Sequence, residues 1–233
     1  MQVLAVGAHP DDLEIGCAGT LARMKQQGHE IAMCVMTNGD LGHQVIPREE
    51  LAQIRATEAQ ASAAQLEAKL FMMGYNDLGV PDSEESIARL TELIRQVQPD
   101  FIITHPQGDY MREHSLVGEL VFEASFRATT PHLYPHLTAT EQVVPIYEME
   151  SVGGVGFLPE HYVDISAALQ RKLSMLRAHR SQVEWLLEHD NIDVCEMVTA
   201  VARFRGIQCG VQYAEGFRER RAYLRGRPAR LLP

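Results

Sequence analysis

Short apolar, β-branched runs alternate with longer stretches of helical periodicity, and this rhythm limits what the chain can fold into more than any other feature. VLAVGA (3–8), HEIAMCVMT (29–37), KLFMMG (69–74) and PDFIITH (99–105) read as strands. GTLARMKQQG (19–28), PREELAQIRATEAQASAAQLEA (47–68) and DSEESIARLTELIRQVQ (82–98) read as helices, and a further helix is expected from about Ser115 to Arg127. Pro47 suits a helix start, and Asp82 or Ser83 suits an N-cap. The strands are apolar throughout rather than alternating, as strands covered on both faces are. The expected class is therefore α/β: a Rossmann-like, mostly parallel sheet flanked by helices, with right-handed crossovers. Beyond about residue 130 the rhythm loosens. VVPIYEME (143–150) and HYVDIS (161–166) are strand-like, helices are expected at 166–178 and about 181–190, and together they make an elaborated C-terminal third. No linker-like stretch interrupts the chain, so 1–233 reads as one domain.

Composition narrows the function. A formal net charge of -10 and a pI of about 5.4 argue against nucleic acid and anionic membrane surfaces as partners. The locally basic FRERRAYLRGRPAR (217–230) reads as a solvated tail or a subunit contact. Cys17, Cys34, Cys195 and Cys209 are scattered with no C-x-x-C pair, as reduced thiols of a cytoplasmic protein are. No targeting signal and no membrane span is expected.

The chemistry concentrates at two strand ends. Ligands of doubly wound sheets bind outside the carboxyl ends of the strands, where the strand order reverses. VGAHPDDLEIG closes the first strand and THPQGDYMREH (104–114) closes the fourth; a 3-2-1-4-5 order would make them neighbours. Together they supply His9, Asp11, Asp12, His105, Asp109, Glu113 and His114. Each cluster alone could be a turn or a helix start. Jointly, imidazoles and carboxylates suit a borderline divalent metal, zinc first, with His9, Asp12 and His114 as one three-ligand set that leaves a position for water. Asp11, the spare carboxylate, could then take a proton from that water. No G-x-G-x-x-G follows the first strand, which disfavours a nucleotide site.

AHPDDLEIGCAGTL, PDFIITH and the later D-x-x-x-E-H together resemble the PIG-L or LmbE-like N-acetylglucosaminyl deacetylases, and the resemblance extends to RATEAQASAAQL (55–66), AHRSQ (178–182) and YAEGF (213–217). It implies a zinc-dependent enzyme that hydrolyses N-acetyl groups on amino-sugar conjugates. It also implies His9, Asp12 and His114 as metal ligands, Asp11 as general base, and self-association. One position departs from the pattern. The family's H-x-D-H reads Met111-Arg112-Glu113-His114 here, and a thioether can neither stabilise an oxyanion nor protonate a leaving amine. His105 and Tyr110 are the local replacements, His105 as a catalytic donor or as a hydrogen-bonding support. Asp109 is expected to orient a ligand histidine or cap a turn, and Arg55 to pair with a carboxylate near the site or to form an ordinary helix-surface ion pair. Glu14, His43 and His179 are weaker candidates. The expected activity is removal of an N-acetyl group from a small N-acylated substrate, with zinc or iron(II) as cofactor. The alternatives are an amidase for larger acyl groups and a non-catalytic metal-binding protein.

Overall fold

The computed structural model describes residues 1–225 and 232–233. The basic segment 217–230 therefore lies partly outside the described residues. The chain forms β1 (Gln2–Gly7), α1 (Asp12–Gly16), α2 (Ala18–Gln26), β2 (Glu30–Thr37), α3 (Arg48–Ala64), β3 (Lys69–Tyr75), α4 (Glu84–Val97), β4 (Phe101–Thr104) and α5 (Arg112–Arg127). It continues through β5 (Ile146–Met149), β6 (His161–Asp164), α6 (Leu169–Arg177), α7 (Arg180–Asp190), α8 (Val194–Cys209) and β7 (Ala214–Glu219). The sheet runs β3-β2-β1-β4-β5-β7-β6. Its first five strands are parallel, and β7 pairs antiparallel with both β5 and β6. The α/β class and the order expected from the sequence hold.

Of the continuous apolar strands, β1, β2 and β4 are buried on both faces, while β3 at the sheet edge is half-buried. Along β1, Val3 and Ala5 join one core with Leu13, Leu21, Leu173 and Phe217, while Leu4 and Val6 join the other with Leu90, Ile94, Val117 and Leu120. Successive strand residues point to opposite faces, so one six-residue strand anchors both layers. Ser83, not Asp82, caps α4, its hydroxyl accepting the Ser86 N–H. Two elements had no sequence signal. In α8 apolar residues are spread around the helix, and β7 (AEGFRE) carries a glycine and three charges. The reason β7 is tolerated is visible: buried Glu215 accepts the N–H groups of Gly19 and Thr20 at 2.9 and 2.7 Å, capping the start of α2, and Lys172 Nζ lies 2.5 Å from it. The charge is paired and hydrogen-bonded, as a buried carboxylate requires.

β4 and α5 must lie close, because both deliver site residues. Gly118 on α5 makes this possible: a Cβ there would fall 2.6 Å from the His105 carbonyl oxygen. We expect Gly118→Ala to destabilise the protein by about 1–3 kcal/mol by forcing α5 off β4. The check is the urea midpoint; a midpoint equal to that of the parent protein would contradict this packing.

Candidate metal centre

β1 and β4 pair in parallel with Val6 opposite Thr104, so the segments that follow leave the sheet side by side. The first carries His9, Asp11 and Asp12; the second carries His105 and Asp109 and runs into α5 with Glu113 and His114. His9 Nδ1 lies 3.2 Å from His114 Nε2. Asp12 bridges them, one oxygen 3.3 Å from His9 Nδ1 and the other 3.3 Å from His114 Nε2. Ligand atoms bound at about 2.0–2.1 Å to a tetrahedral zinc stand about 3.3 Å apart. The donor set and its spacing thus fit a divalent ion.

Each of these side chains is held from behind. Glu113 Oε2 lies 2.9 Å from His9 Nε2. His114 Nδ1 and Asp109 Oδ2 are both buried without another hydrogen-bond partner and face each other at 3.5 Å. A proton on Nδ1 there would leave Nε2 to act as a ligand. The Asp12 oxygen that faces His9 also accepts the His9 N–H at 2.6 Å and lies 3.1 Å from His105 Nε2. His105 is 2% exposed, stacks on His114 at 3.9 Å, and its Nε2 lies 3.0 Å from the Ala8 N–H. A second grouping, His105, Asp109 and His114, is fully buried, whereas His9, Asp12 and His114 line an open cleft of about 330 Å³.

The electrostatics favour a cation at this point. Burial disfavours a charged His9, yet Asp12 and Glu113 outweigh it and push its pKa up to about 11. Burial opposes a charged His114 too, and Asp12 and Asp109 still push it up to about 9. Against its own burial, Asp12 is held well below the usual carboxylate range by His114, His105 and His9. Two imidazoles drawn toward protonation around one carboxylate mark where positive charge is stabilised.

Asp11 stands beside this group on the cleft wall. Its φ of 102° is in the left-handed region, costly for a non-glycine residue though less so for aspartate than for most. Arg55 from α3 holds it, donating to the Pro10 carbonyl, to the Gly39 carbonyl at 3.2 Å and to Asp11 Oδ2 at 3.2 Å. Burial raises the Asp11 pKa, Arg55 lowers it and Asp12 raises it, leaving it at about 6. Three residues on from Arg55, Glu58 accepts the Ser181 N–H and hydroxyl, tying α3 to the start of α7.

The remaining candidates sit further out. Tyr110 is 59% exposed and does not line the cleft, its hydroxyl donating to the carbonyl of cleft-lining Val152 at 3.3 Å. Glu14 is buried against Ser62 and His179, away from the cleft lining. His43 packs on Trp185. Met111 lines the cleft, as do Gln182 from AHRSQ and, unmarked by the sequence, Asp77 and Leu78. Asp77 and Leu78 follow the carboxyl end of β3, so the strand-end rule that located the two clusters could also have flagged NDLG. Asp77 fixes the loop after β2 by accepting the Gly39 and Leu41 N–H groups.

We expect about one divalent ion per chain in protein purified without chelator. His114→Ala and Asp12→Asn should lose it, and Asp109→Asn should weaken its affinity about 10–100-fold. Elemental analysis and chelator competition measure these quantities; full metal content in His114→Ala would contradict the ligand set.

Residues 4–125 match the family PIG-L, GlcNAc-PI de-N-acetylase. The chain is 30% identical to a probable N-acetyl-alpha-D-glucosaminyl L-malate deacetylase 2 from Bacillus cereus, over 80% of this chain and 86% of that protein. It is 25% identical to a 4-oxalmesaconate hydratase from Pseudomonas putida, over 91% of this chain and 86% of that protein. The N,N'-diacetylchitobiose deacetylase from Pyrococcus horikoshii superposes with a TM-score of 0.82 at 29% identity, covering 94% of this chain and 83% of that one. A PIG-L match over more than half of the sequence, the shared fold and the two strand-end clusters lead to one statement: the chain belongs to the PIG-L family.

Proposed function

We propose that this protein is a metal-dependent N-deacetylase that hydrolyses the acetamide of an N-acetylglucosamine-type conjugate to acetate and a free amine. The observation that carries this reading is the convergence of His9 Nδ1, Asp12 and His114 Nε2 on the floor of a cleft whose wall holds Asp11. The names of two deacetylase relatives support the substrate class. Zinc is the ion proposed and iron(II) the alternative, both compatible with a nitrogen and oxygen donor set. Bound there, the ion would polarise a carbonyl oxygen and acidify water.

The chain's own groups do the rest. Asp11 accepts the proton of the attacking water and passes it to the departing amine nitrogen, which balances the hydrolysis. Arg55 keeps Asp11 ionised and aimed into the cleft. Glu113, Asp109 and His105 position His9, His114 and Asp12 in turn. His105 contacts cleft-lining Asp12 and His114 without itself lining the cleft, so we assign it to positioning rather than to proton transfer. Met111 offers no hydrogen bond where the family pattern has histidine, and the Tyr110 hydroxyl donates to the Val152 carbonyl outside the cleft lining, so neither is given a proton-transfer role.

We take 1–233 as one domain working on small molecules in the cytoplasm, as a homo-oligomer without nucleic-acid or membrane partners. No helix among the described residues is long and apolar enough to cross a membrane. Exposed Phe204 and Ile207 on α8 offer a surface for self-association. A second reading, hydration of an unsaturated carboxylate, is favoured by the hydratase relative alone. Acetate release from N-acetylglucosaminides, run beside water addition to 4-oxalmesaconate, separates the two.

Asp11→Asn should keep its metal and lose about 10²–10⁴-fold in kcat; full turnover would remove Asp11 as the base. A base works only when deprotonated, so activity falls as pH drops through its pKa. Arg55 lowers that pKa, and Arg55→Met should therefore move the acid limb of kcat/KM to higher pH. A limb that stays in place or moves to lower pH would show that another group controls it.

A further inference from the structure

Above its polar floor the cleft is walled by Leu41, Leu78, Met111, Val152 and Ile15. Leu78 is 82% exposed and Leu41 43%. A single exposed leucine is ordinary, but Leu78 differs in being held in place. Its φ of 58° lies in the left-handed region, which disfavours a leucine. Its N–H donates to Glu113 Oε2 at 2.9 Å, and the Val80 N–H donates to Glu113 Oε1 at 3.0 Å. The same Glu113 orients His9. One carboxylate thus fixes both a candidate metal ligand and an apolar side chain at the cleft mouth. Leu41 is likewise fixed, through its N–H to Asp77 Oδ2 at 3.1 Å, and Tyr110 braces Val152 through its carbonyl. The charged lining beyond the histidines is three carboxylates, Asp11, Asp12 and Asp77, against the Arg55 guanidinium, which already donates to three oxygens.

We propose that this apolar collar determines specificity: it selects an N-acyl substrate with an uncharged alkyl or aryl group directly beside the scissile amide, over conjugates that carry carboxylates. The proposal rests on the deacetylase reading above. An apolar group against Leu41, Leu78 and Met111 leaves water, whereas a carboxylate among these side chains loses its hydration with no free cationic side chain beside it, the Arg55 guanidinium being already engaged. The apolar group can be attached on the amine side or on the acyl side, and the substrates below distinguish the two.

The experiment compares kcat/KM of the metal-loaded protein for N-acetylglucosamine, phenyl N-acetylglucosaminide, N-hexanoylglucosamine and N-acetylglucosaminyl malate. The phenyl glycoside or the hexanoyl amide should exceed the plain sugar by about tenfold or more, the first placing the group on the amine side and the second on the acyl side. Leu78→Asn keeps a residue that tolerates the left-handed region while removing the apolar surface; it should bring that ratio toward one. Calorimetric binding gives a second readout, phenyl glucosaminide against glucosamine for the amine side and hexanoate against acetate for the acyl side, with about tenfold tighter binding of the apolar member of one pair expected in the parent protein and lost in Leu78→Asn. A preference for the malate conjugate, or a ratio unchanged in Leu78→Asn, overturns the collar. No amine released from any substrate, with the binding preference intact, overturns the deacetylase reading and leaves the collar standing.

Discussion

One buried carboxylate organises the functional edge of this protein. Asp12 is 5% exposed and gathers the His9 N–H and the rings of His9, His105 and His114 around its two oxygens. A carboxylate taken out of water must be compensated. The compensation comes from two chain segments nearly a hundred residues apart, which meet because β1 and β4 pair in parallel at the centre of the sheet. Sheet order, close packing of α5 on β4 at Gly118, and buried partners behind each histidine all serve that one cluster.

The design is layered outward from Asp12. Immediately around it are the atoms that could hold a cation. Behind them, Glu113, Asp109 and His105 fix ring orientations, so less reorganisation is left for the moment of binding. To one side, Arg55 holds Asp11 in a backbone conformation that few residues adopt freely. Backbone strain beside a charged cluster is where function is commonly stored, because the surrounding hydrogen bonds over-determine the geometry. Farther out, α3 and α7 are joined through Glu58 and Ser181, and Gln182 donates to the Gly42 carbonyl, so the cleft walls belong to the same network.

Much of this was legible in the sequence. Uninterrupted apolar strands separated by helical patterns specify a sheet covered on both faces, and AHPDD and THPQGD follow strand ends where such sheets bind ligands, the second leading into REH at the start of α5. The ligand-type residues could be named because imidazole and carboxylate together carry a recognisable chemistry. The buried Lys172–Glu215 pair could not be read, because a lysine and a glutamate far apart look like surface residues until the fold joins them. Helix α8 and strand β7 escaped for a related reason, since their sequences show no clear periodicity and are decided by tertiary contacts. Glu113 was seen as a neighbour of His114, but its hold on the Leu78 loop depends on hydrogen bonds to backbone N–H groups, which leave no trace in side-chain identity. His105 sits in the expected cluster but faces Asp12 from behind, a difference of direction that spacing along a chain does not encode.

A metal centre organised by Asp12 is tested most directly by an anomalous difference map, recorded at the zinc and iron absorption edges, from crystals of protein purified without chelator. One peak is expected at the cleft floor, about 2.0–2.2 Å from His9 Nδ1, His114 Nε2 and an Asp12 oxygen. A peak among His105, Asp109 and His114 instead, or no peak in crystals grown with added metal, would contradict it.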